Sequence, residues 1–228
     1  MREDRINKIQ LKLNYFFQKI FGEKDLGNIG FNFDDKPNRQ DIIQKIIDIK
    51  KFKTYLEIGC DNDELFNFIK CEKKIGVDPE KGGNIRSTSD NFFKKNNLFF
   101  DLIFIDGLHE FDQVCKDIEN SLNFLSNNGV IILHDCLPNN VYQQIVPRCK
   151  RTWNGDVWKA IVKYRTDDNL DIYTCNADSG LGIIFKRKNK NKLEKKMNNY
   201  KNLKFREFFY DHKKLMNLIE YNELFKLI

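Results

Sequence analysis

From Lys53 to Pro79 the chain reads as strand, acidic turn, helix and a second strand ending in a carboxylate. The segments are Thr54-Tyr55-Leu56-Glu57-Ile58-Gly59-Cys60, then Asp63 to Ile69, then Lys74-Ile75-Gly76-Val77-Asp78-Pro79. That order predicts a βαβ unit of the nucleoside-binding kind, and so an open parallel sheet whose ligand lies beyond the carboxyl ends of the strands. Gly59 lets the backbone approach a ligand with no Cβ in the way. Asp78, at the end of the second strand, is placed to accept hydrogen bonds from both hydroxyls of a ribose. A dinucleotide site needs G-x-G-x-x-G for its pyrophosphate, whereas here the glycines stop at Gly59.

The loop runs on as Cys60-Asp61-Asn62-Asp63-Glu64. Its three carboxylates would repel a pyrophosphate and suit a ligand that carries an ammonium and a sulfonium. S-adenosylmethionine carries both. Further strands are expected over 101–105, 129–133, 170–175 and 181–186, besides 54–58 and 74–78, with a short third strand between 82 and 88. The apolar runs Leu102 to Ile105 and Val130 to Leu133 suit strands buried on both faces. Asn176-Ala177-Asp178-Ser179-Gly180 predicts a hairpin between the last two strands. Helices are expected over 5–21, over 39–50 with Ile42, Ile43, Ile46 and Ile47 inward, and over 112–125, where Ser126-Asn127-Asn128-Gly129 ends the helix before the next strand. Two more helical patterns fill 192–228, with Leu218 and Ile219 among their apolar residues.

Four motifs follow one another in order: Glu57-x-Gly59; Gly76-Val77-Asp78-Pro79; Phe100-Asp101-Leu102-Ile103-Phe104-Ile105-Asp106-Gly107-Leu108-His109; and Gly129-Val130-Ile131-Ile132-Leu133-His134-Asp135. Together they resemble the class I S-adenosylmethionine-dependent methyltransferases. Within that class they look most like the sugar and small-molecule O-methyltransferases related to the macrocin and mycinamicin enzymes and the cephalosporin-biosynthesis enzyme. The resemblance spans residues 38 to 186. It implies an α/β fold with a Rossmann-like, doubly wound, mostly parallel seven-stranded sheet, an antiparallel final strand, and added N- and C-terminal helices. The expected division is an N-terminal helix and loop (1–37), a methyltransferase domain (38–187) and a basic helical extension (188–228). Many members of the class carry two more glycines where Asp61 and Asp63 stand, so the methionine moiety would be held differently here.

Asp106 to His109 end the fourth strand and His134-Asp135 the fifth, so a parallel sheet brings both to one edge. A neutral sugar hydroxyl is a poor nucleophile, and a base or a divalent cation must take its proton. The resemblance implies Asp106 and Asp135 as ligands of Mg²⁺ and His109 as the base. His134 falls where a carboxylate is expected, and an Asp/His/Asp set also suits Mn²⁺, Fe²⁺ or Zn²⁺. His134 is either a ligand or a hydrogen-bond partner of Asp135, and His109 either the base or a residue at a helix start. For the cofactor, Glu57, Gly59 and Cys60 would border the aminocarboxypropyl chain, Asp78 the ribose, Ser89 and Asp90 the adenine edge, and Asp106 the methyl group. Ser89 or Asp90 could equally cap a helix beginning at Asn91. Trp153 and Trp158, five apart around Gly155, offer aromatic faces for a sugar ring, or else Trp158 belongs to the core.

The expected activity is methyl transfer to a hydroxyl of a sugar, nucleotide-sugar or glycan-like acceptor. A nitrogen or phenolic acceptor, or a non-catalytic scaffold of the same fold, is the alternative. The charge of +6 is uneven, with thirteen Lys/Arg against five Asp/Glu from Lys186 onward and −2 over the rest. A nucleic-acid enzyme wants its basic groove beside the chemistry, which argues against nucleic acid. The six Cys lack C-x-x-C spacing and read as reduced thiols of a cytoplasmic protein, and no apolar run approaches the length of a membrane span. A homo-oligomer stays open.

Overall fold

The computed structural model describes residues 7–194 and 197–228. The chain order is α1 (Lys8–Phe21), α2 (Arg39–Lys50), β1 (Thr54–Ile58), α3 (Glu64–Phe68), β2 (Lys73–Asp78), β3 (Ile85–Arg86), α4 (Ser89–Lys95), β4 (Phe100–Ile105), α5 (Phe111–Asn123), β5 (Leu125–Leu133), α6 (Val141–Gln144), α7 (Val157–Tyr164), β6 (Leu170–Cys175), β7 (Leu181–Lys186), a 3-10 turn (Tyr200–Asn202), α8 (Phe205–Met216), β8 (Leu218–Ile219) and α9 (Tyr221–Leu224). The expected helix over 5–21 is present from Lys8; Arg5 and Ile6 of that reading lie outside the described residues.

One sheet of eight strands runs in the order β3-β2-β1-β4-β5-β7-β6-β8. β1 to β5 pair in parallel, and β7 is antiparallel to both of its neighbours. Successive strand residues serve opposite faces, as the pleat requires. Leu56, Ile58, Ile103, Ile105, Ile131 and Leu133 face one core with residues of α4, α5, α7 and α8. Tyr55, Leu102, Phe104, Val130 and Ile132 face the other with residues of α2 and α3. Cover on both faces makes the sheet doubly wound. In α2, Asn38 accepts the Asp41 amide at 3.0 Å, and Ile42, Ile43, Ile46 and Ile47 are buried. Each contributes roughly 1.5–3 kcal/mol by leaving water.

Two details differ from expectation. β5 begins at Leu125, so Ser126 to Gly129 lie inside the strand, where the register against β4 shifts between Phe100 and Leu102. Leu218 and Ile219 form an eighth strand, parallel to β6. The reason is Asn217, which ends α8 at φ 47°. It donates from its side chain to the carbonyl of Ile172 at 3.0 Å, turning the chain onto the sheet edge. Phe205 and Phe208 of α8 enter the first core and Leu224 of α9 the second, so the C-terminal segment packs on both faces. In the basic run, Arg187 bonds Asp171 at 2.8 Å and Lys192 bonds Asp168 at 2.8 Å.

Asp117 of α5 is buried. Burial pushes its carboxyl up to about 6, against hydrogen bonds from Ser89 and Gln113 that lower it. The unfolded value is about 3.9, so between about pH 4 and 6 the folded state binds more protons and stability falls as pH rises. The difference of about two units corresponds to about 3 kcal/mol. Asp117→Asn is therefore expected to stabilise the protein at pH 7.5 and to have little effect at pH 4. Urea unfolding at both values checks this, and an equal loss at both would contradict it.

Candidate functional site at the carboxyl edge of the sheet

The first loop is built by backbone conformation as much as by charge. Gly59 has φ 87°, and a Cβ there would collide with the carbonyl of Asp106. Asp61 and Asp63 stand at φ 44° and 63°, the left-handed region that Asp tolerates better than most residues. They thus take a backbone conformation that glycine adopts most readily. Asp63 also accepts the Gly83 amide at 2.5 Å, and Asp61 faces Lys81 at 3.6 Å.

Asp78 binds this loop to the next. One carboxylate oxygen accepts the amides of Cys60 and Asp61, each at 3.2 Å. The other accepts those of Glu80 and Lys81 at 2.8 and 2.9 Å. Glu57 is buried at the end of β1 and accepts the Tyr55 hydroxyl at 2.6 Å. Burial pushes its carboxyl up to about 8, more than that hydrogen bond lowers it. Cys60 is buried too, and burial pushes its thiol above the usual range. Thr88 caps α4, accepting the Asn91 amide at 3.3 Å, so neither Ser89 nor Asp90 is the cap. Gln113 instead donates to Ser89 Oγ, Asp90 Oδ1 and Asp117 Oδ1 at 3.2, 3.1 and 3.1 Å.

The strand-end residues converge. Ile105 pairs with Leu133, so Asp106 and His134 leave the sheet side by side. Asp106 Oδ1 lies 3.1 Å from His109 Nε2 and 3.3 Å from His134 Nδ1. Asp135 Oδ2 lies 3.3 Å from His109 Nδ1 and 3.4 Å from His134 Nδ1. Two imidazoles and two carboxylates thus alternate in a closed ring. Asp135, at φ 59°, turns back into it, and its other oxygen accepts Asn154 Nδ2 at 2.8 Å. Burial raises Asp106, but the charge of His134 and hydrogen bonds from both histidines outweigh it and hold the group far below its ordinary value. Burial likewise lowers both histidines, and the same carboxylates overcome it and raise them.

Three residues that no local motif marks complete the arrangement. Asp178, in the hairpin turn at φ 42°, lies 3.2 Å from His134 Nε2 and accepts the Arg39 amide at 2.6 Å. The Arg39 guanidinium stands 3.4 Å from Asp178 and from His134 Nε2. With Nε2 facing Asp178, His134 turns Nδ1 into the ring. Asn154 is the third. Asp106, His134 and Asp135 can each offer one donor atom, all within 4.8 Å of one another.

Trp153 stacks on His109, with ring centroids 5.3 Å apart and planes at 23°, and donates from Nε1 to the Ile145 carbonyl at 2.6 Å. Gly155, at φ 64°, presses so close to His109 that a Cβ would overlap its carbonyl. Trp158 has no exposed surface and packs on Phe208 at 4.9 Å. The expectation that it carries substrate is corrected: it is a core residue of α7.

Residues 75–136 match the sequence profile of a methyltransferase domain family. The fold is that of the class I methyltransferases. No curated protein sequence matches the chain. Among solved structures, a proposed O-methyltransferase from Klebsiella pneumoniae is 12% identical with a TM-score of 0.51, covering 79% of this chain and 99% of its own. The SAH-bound methyltransferase PaMTH1 of Podospora anserina is 15% identical with a TM-score of 0.51, covering 82% and 97%. At such identities the likeness concerns the fold of the methyltransferase domain.

Because Asp78 satisfies four amides of two loops, Asp78→Asn would replace one acceptor oxygen by a donor facing two amides. The expected result is a loss of about 1–3 kcal/mol in stability, seen in urea unfolding. Binding of S-adenosylhomocysteine should weaken by about tenfold or more, the equivalent of about 1.4 kcal/mol, in calorimetry. An unchanged unfolding midpoint would remove the stapling role.

Proposed function

We infer that the protein is an S-adenosylmethionine-dependent O-methyltransferase acting on a hydroxyl of a sugar, nucleotide-sugar or glycan-like acceptor with help from a divalent cation. The observation that carries this reading is the closed ring of Asp106, His109, His134 and Asp135 beside the Gly59 loop. A scaffold has no use for such a concentration of buried charge, which is costly to assemble.

The donor set fits a first-row cation. Neighbouring donors about 2.1 Å from a metal lie roughly 3.0–3.4 Å apart; His134 Nδ1 lies 3.3 and 3.4 Å from Asp106 and Asp135, and all three donors lie within 4.8 Å of one another. One imidazole nitrogen between two carboxylates suits Mn²⁺, Fe²⁺ or Zn²⁺ as well as Mg²⁺. When bound, such a cation would lower the pKa of an acceptor hydroxyl. Asp106, His134 Nδ1 and Asp135 would hold it, with Asp178 fixing the His134 ring and Asn154 fixing Asp135.

His109 Nδ1 is buried with no hydrogen-bond partner, and in the neutral ring, with the cation in place of the protons that the carboxylates otherwise favour, this is the atom we assign to receive the hydroxyl proton. Trp153 holds its ring in place and presents an apolar wall to the acceptor. Glu57 would face the cofactor's ammonium, with Gly59 and Cys60 alongside. Asp78 would hold the two loops that border the ribose, its oxygens already taken up by four amides, and Ser89 and Asp90, bridged by Gln113, would border the adenine edge. Positioning of the hydroxyl in line with the methyl group supplies most of the acceleration.

Two measurements test this. The first screens sugar and nucleotide-sugar acceptors with metal-free and Mn²⁺- or Mg²⁺-supplemented protein. Asp106→Ala, His109→Ala and Asp135→Ala should each lose about 100-fold or more in turnover while still binding S-adenosylhomocysteine. Normal turnover in all three would sink the reading. The second uses Glu57, whose folded value of about 8 leaves it mostly protonated at pH 7. Binding of the cofactor's ammonium should ionise it and release close to one proton, read from the dependence of the calorimetric enthalpy on buffer. Glu57→Gln should abolish that release.

A further inference from the structure

Helix α1 turns its apolar face away from the protein. Ile9, Leu13, Phe16, Phe17, Ile20 and Phe21 recur at helical spacing and form one stripe. Each is between 47% and 77% exposed, and α1 has no buried residue. Only Leu11, Asn14, Tyr15 and Gln18, on the opposite side, are half-buried. Asn14 donates to the Arg148 carbonyl at 2.8 Å, and the rings of Tyr15 and Tyr142 lie 4.9 Å apart. The inner side is thus anchored while the stripe is left uncovered. A contiguous apolar patch rimmed by polar groups marks an interaction site.

Charge indicates the occupant. α1 carries Lys8, Lys12 and Lys19 and no carboxylate. At 100° per residue the three lysines fall along one edge of the stripe. Exposed Lys150 lies 5.4 Å from the Tyr15 ring, and exposed Arg151 follows it. At the other edge Phe17 and Phe21 share a cleft of about 360 Å³ with Ile145, Val146 and Pro147, so the apolar surface continues onto the body. Fourteen residues make a helix about 21 Å long, short of the roughly 30 Å hydrocarbon core of a bilayer. No helix among the described residues is long and apolar enough to cross a membrane.

We propose that α1 docks the protein on an anionic phospholipid surface. Phe16, Phe17, Ile20 and Phe21 enter the boundary between headgroups and acyl chains, and Lys8, Lys12 and Lys19 meet the lipid phosphates. A helix with aromatic and aliphatic residues on one face and lysines beside them lies in the plane of such an interface, the lysine stems covering apolar surface while their ammonium groups reach the phosphates. A second copy of the chain fits less well. A two-fold contact sets the same patch against itself, and α1 brings no carboxylate to answer its lysines.

The test is co-sedimentation of the full chain with phosphatidylcholine vesicles, with and without about 30% phosphatidylserine, at two salt concentrations. Binding to the anionic vesicles should be about tenfold tighter or more and should weaken with salt. The double variant Phe17→Ser/Phe21→Ser and the triple variant Lys8→Glu/Lys12→Glu/Lys19→Glu should each lose about tenfold or more, the equivalent of about 1.4 kcal/mol. All five positions are exposed, and circular dichroism verifies that the fold is kept. Absence of binding, equal binding to neutral vesicles, or binding that either variant retains overturns the proposal. A dimer that Phe17→Ser/Phe21→Ser dissociates, without vesicle binding, overturns it in favour of a second copy.

Discussion

The register of β4 against β5 is the constraint on which the site depends. Ile105 opposite Leu133 sends Asp106 and His134 out of the sheet as neighbours. The backbone continues the pairing one step further, His134 N donating to the Ile105 carbonyl at 3.0 Å and Asp106 N to that of Ile58 at 2.8 Å. A slip of one residue would exchange the two faces of the strand. Leu102 and Phe104 would then trade cores with Ile103 and Ile105, and both helical layers would lose their fit. The packing that stabilises the fold therefore also places the chemistry, which is why the irregular pairing near Leu125 to Gly129 lies at the far end of these strands.

Electrostatics explains why the cluster is as large as it is. At about 3.3 Å and an effective dielectric of about 20, one ion pair is worth about 5 kcal/mol. Removing each ion from water costs several kcal/mol. No single pair could offset that, so the charges are arranged to share partners. Asp106, Asp135 and Asp178 bring three negative charges, answered by Arg39 and by two histidines whose protonated forms the carboxylates favour. A divalent cation carries the same charge as the two protons it would displace, so the ring can be balanced with or without one. Arg39 and Asp178 then have a definite part. They neutralise the far side of His134 and turn its Nδ1 inward in either state.

The sheet was legible because its central strands are continuous apolar runs and because the ends of parallel strands must share an edge. Asp106, His109, His134 and Asp135 could be brought together on that rule alone. Arg39, Asp178 and Asn154 could not, since each reaches the cluster from a separate element across tens of residues of sequence, and an arginine at a helix start or an aspartate in a turn looks ordinary locally. Trp153 and Trp158 show the same limit at short range. Two identical side chains five positions apart differ only in what the fold sets over them, His109 for one and Phe208 for the other. Asp61 and Asp63 were readable as charges, while their left-handed backbone, the property that lets them stand in place of glycine, was hidden behind that reading. Leu218 and Ile219 have an apolar pattern that a helix or an edge strand would satisfy equally, and the left-handed Asn217 decided between them.

His109 brings these threads together. Its ring is fixed from three directions: Asp106 bonds Nε2, Trp153 covers one face, and Gly155 crowds the backbone so closely that no other residue fits. Yet Nδ1, 3.3 Å from Asp135, makes no hydrogen bond. A buried polar atom left unsatisfied costs about 1–3 kcal/mol. The surrounding contacts hold the imidazole with Nε2 on Asp106 at 3.1 Å and Nδ1 left open. That is the arrangement expected of a group whose partner arrives with the substrate, because the cost of orienting it has been met in folding and need not be met again when the acceptor binds.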